Sequence, residues 1–129
     1  MANATVITLN SLTAGTVLTQ PTADVLDTGT VAVTLPLTPA GDTRRILIEV
    51  INTAQAADTL TVDILAGDQP PAMSAGLGDV QFTVAQNAVR YIVIDSARHM
   101  QSDGTISIKV TPAATKTQTA TIRAYKLPK

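Results

Sequence analysis

The chain has 129 residues, no cysteine, and a formal net charge of −1 from nine basic and ten acidic side chains. This length supports one hydrophobic core, and the lack of cysteine excludes disulfides, thiolate metal sites and cysteine nucleophiles. Aromatic residues make up only 2% of the chain and neither charge sign is concentrated, which excludes a basic, aromatic-lined nucleic-acid surface.

The N-terminal part of the chain carries the weakest structural signal. Its first residues, MANATVITLNSLTAG, contain no lysine or arginine, which predicts synthesis without a cleaved signal peptide. Alternation at residues 5–9 indicates one weak strand, whereas 10–28 has little regular pattern. We therefore expect residues 1–28 to form an N-terminal arm or a first strand, followed by a β-sandwich domain over 29–129.

The next three segments alternate more clearly. A strand is predicted at 30–35, and two prolines follow it. The segment 44–52, RRILIEVIN, is apolar on both faces, which predicts a central strand. In the segment 59–65, TLTVDIL, the apolar residues Leu60, Val62 and Ile64 share one face, which predicts a half-buried strand.

Proline and glycine then interrupt the pattern at 67–79, GDQPPAMSAGLGD, which predicts a long ordered loop. Residues 80–84 and 89–95 are predicted to form a hairpin through AQNA. An Asp-Gly turn signal precedes a predicted strand at 105–110, and the last strand is expected at 119–127. About eight short strands without a helical period predict an all-β, jelly-roll-like sandwich.

Three side chains with hydrolase chemistry lie close together in the sequence. Ser96, His99 and Asp103 are the residue types of a catalytic triad, but no nucleophile-elbow motif accompanies the serine. We therefore predict that His99 is a loop histidine at the end of a strand. The protein is expected not to be an enzyme, and to use no cofactor and no small-molecule substrate.

The carboxylates indicate structural roles. Most of the aspartates stand beside predicted turns, where such side chains bond their own backbone. No sequential calcium-binding motif occurs, but loops distant in sequence could still converge on an ion, so a calcium site stays open. Glu49 lies in the most apolar strand, which predicts an ion pair with a nearby arginine. The candidate partners are Arg44, Arg45, Arg90 and Arg123.

The low charge density indicates assembly with other proteins. Charged residues make up 15% of the chain, against about 25% in an average globular domain. A surface poor in charge fits one that partners cover. No apolar run approaches the ~20 residues of a membrane-spanning helix, so no membrane partner is expected.

Three segments resemble a known family. They are ILIEVINTAQAADTLTVDILAGDQPPAMSAGLGD (46–79), DSARHMQSDGTISI (95–108) and TIRAYKLPK (121–129). Together they resemble the jelly-roll head-decoration, or cement, proteins of tailed bacteriophages. The resemblance implies a structural virion protein on the capsid exterior, which binds as a homotrimer, clamps neighbouring major capsid protein subunits and thereby stabilises the capsid.

The resemblance also implies that an N-terminal arm reaches a neighbouring subunit, for example by adding a strand to an exposed sheet edge. The candidate subunit or capsid contacts are Thr5, Val6, Ile7, Leu9, Arg44, Arg45, Glu49, Pro70, Pro71, Arg98 and His99. The alternative function is a carbohydrate- or receptor-binding jelly-roll module of a phage tail or cell surface. The scarcity of aromatic platforms argues against that alternative.

Overall fold

The computed structural model describes residues 6–26, 31–37, 45–53, 59–67, 78–111 and 120–128. Within these ranges the protein is an all-β sandwich with nine strands and one short helix. This confirms the predicted fold class. The elements are β1 (Leu9–Ser11), β2 (Asp24–Leu26), β3 (Val31–Pro36), β4 (Arg45–Asn52), β5 (Leu60–Ile64), β6 (Val80–Val84), β7 (Val89–Asp95), α1 (Ser96–His99), β8 (Thr105–Thr111) and β9 (Ala120–Lys126).

The strands form two facing sheets. In the first, here the β4 sheet, the order is β1-β9-β4-β7, and β2 pairs with β9 beside β1. In the second, the β5 sheet, the order is β3-β8-β5-β6. The order β2-β9-β4-β7 opposite β3-β8-β5-β6 is that of an eight-stranded jelly roll, to which β1 is added. The predicted central position of β4, between β9 and β7, is confirmed.

The core lies between the two sheets and is aliphatic. The predicted inward face of β5 is confirmed, because Leu60, Val62 and Ile64 are buried and the residues between them are partly exposed. Strand β4 contributes inward residues at Ile46 and Ile48. Branched side chains lose little rotamer freedom on a pleated surface, so a core built from them needs no large aromatic residue.

The segment 6–26 closes one side of the sandwich by touching both sheets. Val6 forms a parallel bridge with Thr34 of β3, and the Ile7 amide donates to the Thr34 carbonyl at 2.8 Å. The chain then crosses to β9, where β1 pairs in parallel and β2 in antiparallel orientation. Ile7 and Leu26 are buried in the core. The strand predicted at 5–9 is therefore a single bridge at Val6, and the regular pairing begins only at Leu9.

Strands β6 and β7 are adjacent in sequence but do not form the predicted hairpin. A tight turn does connect them, with the Ala88 amide donating to the Ala85 carbonyl at 3.0 Å. However, β6 pairs with β5 and β7 pairs with β4, so the turn passes from one sheet to the other. Asn52 separates the two strands, because its side-chain amide donates to the Val84 carbonyl and its backbone bonds Asn87 and Ala88.

Candidate interaction surface

The outer faces of the two sheets differ in chemistry. On the β5 sheet, the residues that alternate with the core are mostly polar. Gln81 and Asp63 face each other across β6 and β5, and the Gln81 amide donates to the Asp63 carboxylate at 2.7 Å. The other outward positions on β5, β6 and β8 carry Thr61, Thr83, Thr105, Ser107, Lys109 and Thr111. A face of this composition is stable in water without a partner.

The outer face of the β4 sheet is apolar instead. Leu47 on β4 lies between Val93 on β7 and Tyr125 on β9, and Ile51 lies beside Val89. Tyr91 is 62% exposed, Val93 51% and Val89 38%. These residues are neighbours across three adjacent strands, so they form one continuous patch. We call it the apolar face, and it consists of Leu47, Ile51, Val89, Tyr91, Val93 and Tyr125.

A nearly buried ion pair lies at the centre of the apolar face. Glu49 is opposite Arg123 of β9 on one side and Tyr91 of β7 on the other. The Arg123 guanidinium donates to the Glu49 carboxylate, and the two side chains are only 14% and 7% exposed. Arg123 Nε also donates to the Pro21 carbonyl at 2.9 Å, so the same side chain holds the N-terminal segment against the sheet.

The Glu49 carboxylate also affects the ionisation of Tyr91. A hydrogen bond to Glu49, together with the negative charge of that carboxylate, raises the pKa of Tyr91 above its usual value. The hydroxyl of Tyr91 therefore stays protonated at neutral pH and donates to Glu49. The ion pair supplies hydrogen-bond partners for the nearly buried Glu49 and Arg123 side chains between the apolar residues. Its role is therefore structural.

Four arginines were predicted as possible partners of Glu49. In the structure Glu49 pairs with Arg123, which confirms the predicted ion pair. Arg45 lies at the end of β4 opposite Asp95, and Arg90 lies opposite Val50. Arg44 is outside the described residues.

The Ser96, His99 and Asp103 group has structural hydrogen bonds. His99 is buried at the end of α1, and its Nδ1 lies 3.0 Å from the Leu65 carbonyl, which only a protonated Nδ1 can satisfy. Asp103 accepts hydrogen bonds from the Thr105 amide and hydroxyl, which lowers the pKa of Asp103. Burial lowers the pKa of His99. These hydrogen bonds connect His99 to Leu65 and Asp103 to Thr105.

Hydrogen bonds in this region connect the described residues that follow β5 with those that precede β6. The Gly67 amide donates to the Arg98 carbonyl at 3.0 Å, and the Ala66 amide donates to the Asp79 carboxylate at 2.7 Å. Arg98 in turn donates to the Gly78 carbonyl at 3.1 Å. The two ends of the loop are thus held together and against α1.

The candidate contact residues do not share one surface. Ile7, Glu49 and His99 are buried, whereas Val6 and Arg45 are exposed. Leu9 and Arg98 are half-buried, and they lie on the N-terminal segment and on α1. Thr5, Pro70 and Pro71 fall outside the described residues, as does most of the loop predicted at 67–79.

Among the predicted contact residues, Glu49 lies at the centre of the apolar face, but the six residues that form this face were not predicted. Its signal was present in the alternation of β7, VRYIVID, in which Val89, Tyr91 and Val93 occupy one face. Recognising the patch also requires the register of β7 and β9 against β4, which brings Tyr125 and Leu47 beside them. Residues so distant in sequence give no local pattern.

Among the described residues, no group of three or more histidine, aspartate or glutamate side chains is placed to hold a metal ion. No helix in that part of the chain has the length and apolar character needed to cross a membrane. Comparison with protein-family models, with curated proteins and with solved structures finds no match to this chain. The strand order and the burial of the described residues define a jelly-roll-like β-sandwich with one apolar outer face.

Proposed function

We propose that this protein is a structural component of a virus particle that docks on other protein subunits through the apolar face. The observation that carries the proposal is the contrast between the two outer faces, one polar and one with Tyr91 and Val93 more than half exposed. Contiguous exposed apolar patches are characteristic of interaction sites on proteins, and aromatic residues such as Tyr91 are enriched at the cores of interfaces.

The specific form of the proposal follows the family resemblance. The protein binds the outside of a tailed-bacteriophage capsid as a homotrimer, contacts neighbouring major capsid protein subunits and performs no chemical reaction. Binding that favours the mature shell over its dissociated form stabilises that shell by mass action. The protein is made in the host cytoplasm and acts in the virion.

The size of the apolar face explains why many copies would be needed. Burying the exposed parts of Val89, Tyr91 and Val93 removes on the order of 250 Å² from water, which contributes about 6 kcal/mol before association costs. A standard interface buries about 800 Å² on each partner. One copy of this face therefore binds weakly, and linked copies on a lattice gain affinity through their high effective concentration.

Co-sedimentation with expanded, undecorated capsids tests the proposal. The capsids are assembled from the major capsid protein encoded with this chain, and wild-type protein is expected to saturate them and raise their thermal stability. The substitution Tyr91→Ser removes much of the exposed apolar area and is expected to weaken binding about tenfold. Thr83→Ser, on the polar face, is the matched control and is expected to bind as the wild type does.

Far-UV circular dichroism and melting curves establish that both variants are folded. Wild-type protein that fails to sediment with expanded capsids at any concentration would refute capsid binding. Equal affinities for wild type and Tyr91→Ser would refute docking through the apolar face, while leaving capsid binding itself in place.

One observation favours a second candidate function, carbohydrate or receptor binding. Tyr91 is a largely exposed aromatic ring next to the polar pair of Glu49 and Arg123. An aromatic platform with convergent polar groups is the usual construction of a sugar site. A glycan-array signal that disappears in Tyr91→Ser but persists in Thr83→Ser would support this function over capsid docking.

A further inference from the structure

The only histidine of the chain lies between α1 and the end of β5. His99 is the last residue of α1 and is 1% exposed. Its ring Nδ1 lies 3.0 Å from the carbonyl oxygen of Leu65, the residue that follows β5. A carbonyl only accepts hydrogen bonds, so Nδ1 carries a proton, and the ring is neutral as long as Nε2 carries none. One buried ring therefore connects the end of β5 to α1.

Two further hydrogen bonds join the same two segments. The Gly67 amide donates to the Arg98 carbonyl at 3.0 Å. The Gln101 side-chain amide donates to the Ala66 carbonyl, also at 3.0 Å. Because the two segments are distant in sequence, only tertiary contacts hold them together. We call this region the α1 junction, and it consists of residues 65–67 and 98–101.

The α1 junction contains little buried apolar surface. Of its residues only His99 is buried, and Met100 is half-buried against the core. Gly67 packs on backbone, since a Cβ at this position would lie 2.3 Å from the Met100 carbonyl oxygen and 2.9 Å from the Met100 amide nitrogen. Regions held by hydrogen bonds with few buried apolar contacts open at a lower free energy than global unfolding requires. We therefore expect the junction to open locally.

The surroundings of His99 disfavour a positive charge on its ring. Burial lowers the pKa of His99 the most, and the neighbouring Arg98 lowers it further. The hydrogen bond to Leu65 and the charges of Asp79, before β6, and Asp95, at the end of β7, act in the opposite direction without reversing the shift. The other charged residues on the strands that pack against α1 are exposed, and they are Arg90 on β7 and Lys109 on β8.

We infer that the α1 junction is an acid-sensitive switch, in which the uptake of one proton by His99 releases the hydrogen bonds between residues 65–67 and 98–101 while the two sheets stay paired. In the closed junction a charged ring is removed from water, and opening restores its hydration. Acid therefore favours the open form. The inference does not rest on the proposed function, because it concerns the end of the sandwich at α1 and not the apolar face.

The pH range of the switch follows from the direction of the shift. In the open junction the ring is hydrated, and its pKa is the ordinary value of about 6.5. The pKa in the closed junction is lower, so the open form binds more protons. The stability of the closed form is therefore fully present above about pH 6.5 and declines as the pH falls towards the closed-state pKa. Between about pH 7.5 and about pH 5.5 the ratio of open to closed junction rises about tenfold.

Amide hydrogen exchange of the full chain, followed by NMR at about pH 7.5 and about pH 5.5, tests the switch. Dividing each rate by its intrinsic value removes the effect of pH on the exchange chemistry. The Gly67 amide reports the junction, and the Val62 amide, in a strand paired on both sides, reports the sandwich. We expect the protection of Gly67 to fall about tenfold and to stay below that of Val62 at both pH values. Unchanged protection of Gly67, or protection equal to that of Val62, would overturn the inference.

The variant His99→Asn tests whether His99 is the proton acceptor. Its side-chain amide donates as Nδ1 does but does not titrate. We expect equal protection of Gly67 at both pH values in this variant. Thr83→Ser, on the outer face of β6, retains His99 and is the matched control, so it should show the same fall as the wild type. A fall of about tenfold that persists in His99→Asn would contradict the inference.

The wild-type ring gives a second measurement that needs no variant. Because the chain has one histidine, a single ring resonance follows the protonation of His99 directly. At about pH 6, below the ordinary pKa of about 6.5, we expect the resonance of the closed form to remain that of a neutral ring. A ring that takes up its proton near pH ~6.5 while the Gly67 amide stays protected would show that the closed junction accommodates the charge, and the inference would be wrong.

Discussion

Removing Arg123 tests the central interaction of the apolar face. In Arg123→Met, the aliphatic stem is retained and the guanidinium is lost. The Glu49 carboxylate then remains on a nearly buried position, with its side chain 7% exposed, and has no cation. The Pro21 carbonyl also loses its hydrogen bond. Both changes destabilise the folded state, because the polar groups have been removed from water without full compensation.

The expected loss in the free energy of unfolding is about 3 kcal/mol. Breaking a buried ion pair by deleting one partner typically costs about 3–5 kcal/mol. The hydrogen bond from Tyr91 to Glu49 is retained, and the residual exposure of the site admits water, so we take the lower end of that range. For a domain of this size the melting temperature is expected to fall by roughly 10 °C.

A double-mutant cycle measured by urea unfolding checks the reasoning. Replacing both partners, in Glu49→Leu with Arg123→Met, removes the unpaired charge and places apolar groups among Leu47, Ile51 and their neighbours. The double variant is therefore expected to unfold within about 1 kcal/mol of the wild type. A double variant whose loss equals the sum of the two single losses would show that no coupling exists, and the assigned role of the pair would be wrong.

Three further outcomes follow from the loop end of the sandwich and the turn beside Asn52. Burial lowers the pKa of His99, so protonation of this side chain destabilises the folded state. The contribution of neutral His99 to the free energy of unfolding should be fully present above its unfolded-state pKa of about 6.5. It should decline as the pH falls towards the folded-state pKa. Melting curves between about pH 7 and pH 5 should show a smaller decline for His99→Gln, and equal declines would contradict this. Gly67→Ala should destabilise by about 1–3 kcal/mol in urea unfolding, since its added Cβ would lie 2.3 Å from the Met100 carbonyl oxygen; an unchanged midpoint would show that the backbone can shift. Asn52→Ala should lose about 1–2 kcal/mol in the same assay, because the Val84 carbonyl loses its buried donor; a neutral result would indicate a substitute water.

Alternation was sufficient to predict most of the sandwich from sequence. Strands β6 and β7 lie at the predicted residues, and β4, β5, β8 and β9 differ from the predictions by one residue at each end at most. In β4, β5, β8 and β9 one face is buried, so side-chain period and burial coincide.

The elements that were not predicted obtain their structure from tertiary contacts. β1 and β2 have three residues each and are held by the edge of β9 rather than by their own pattern. Helix α1 is a single turn, too short for a helical period, and begins where Asp95 caps the Ala97 amide. The passage of β6 and β7 into different sheets depends on Asn52, which is distant in sequence.

The candidate site was predictable only in part for a related reason. A lone glutamate in an apolar strand predicts a paired charge, and the pairing with Arg123 confirmed it. Which arginine is chosen depends on the register of β9 against β4, which aligns Glu49 with Arg123. The exposed face could not be read from β7 alone, because alternation gives two faces without indicating which one the opposing sheet covers.

The position of the ion pair gives the apolar face a means of selecting partners. Docking a protein over Tyr91 would remove the remaining water from Glu49 and Arg123, which are already hydrogen-bonded to each other. A partner that presents apolar groups leaves that pair intact, and so does not incur the cost of unpairing a buried charge. A partner that presents a charge competes for one member and leaves the other uncompensated. The face should therefore favour flat, weakly charged protein surfaces, and a single lysine introduced at Val93 should weaken docking without altering the fold.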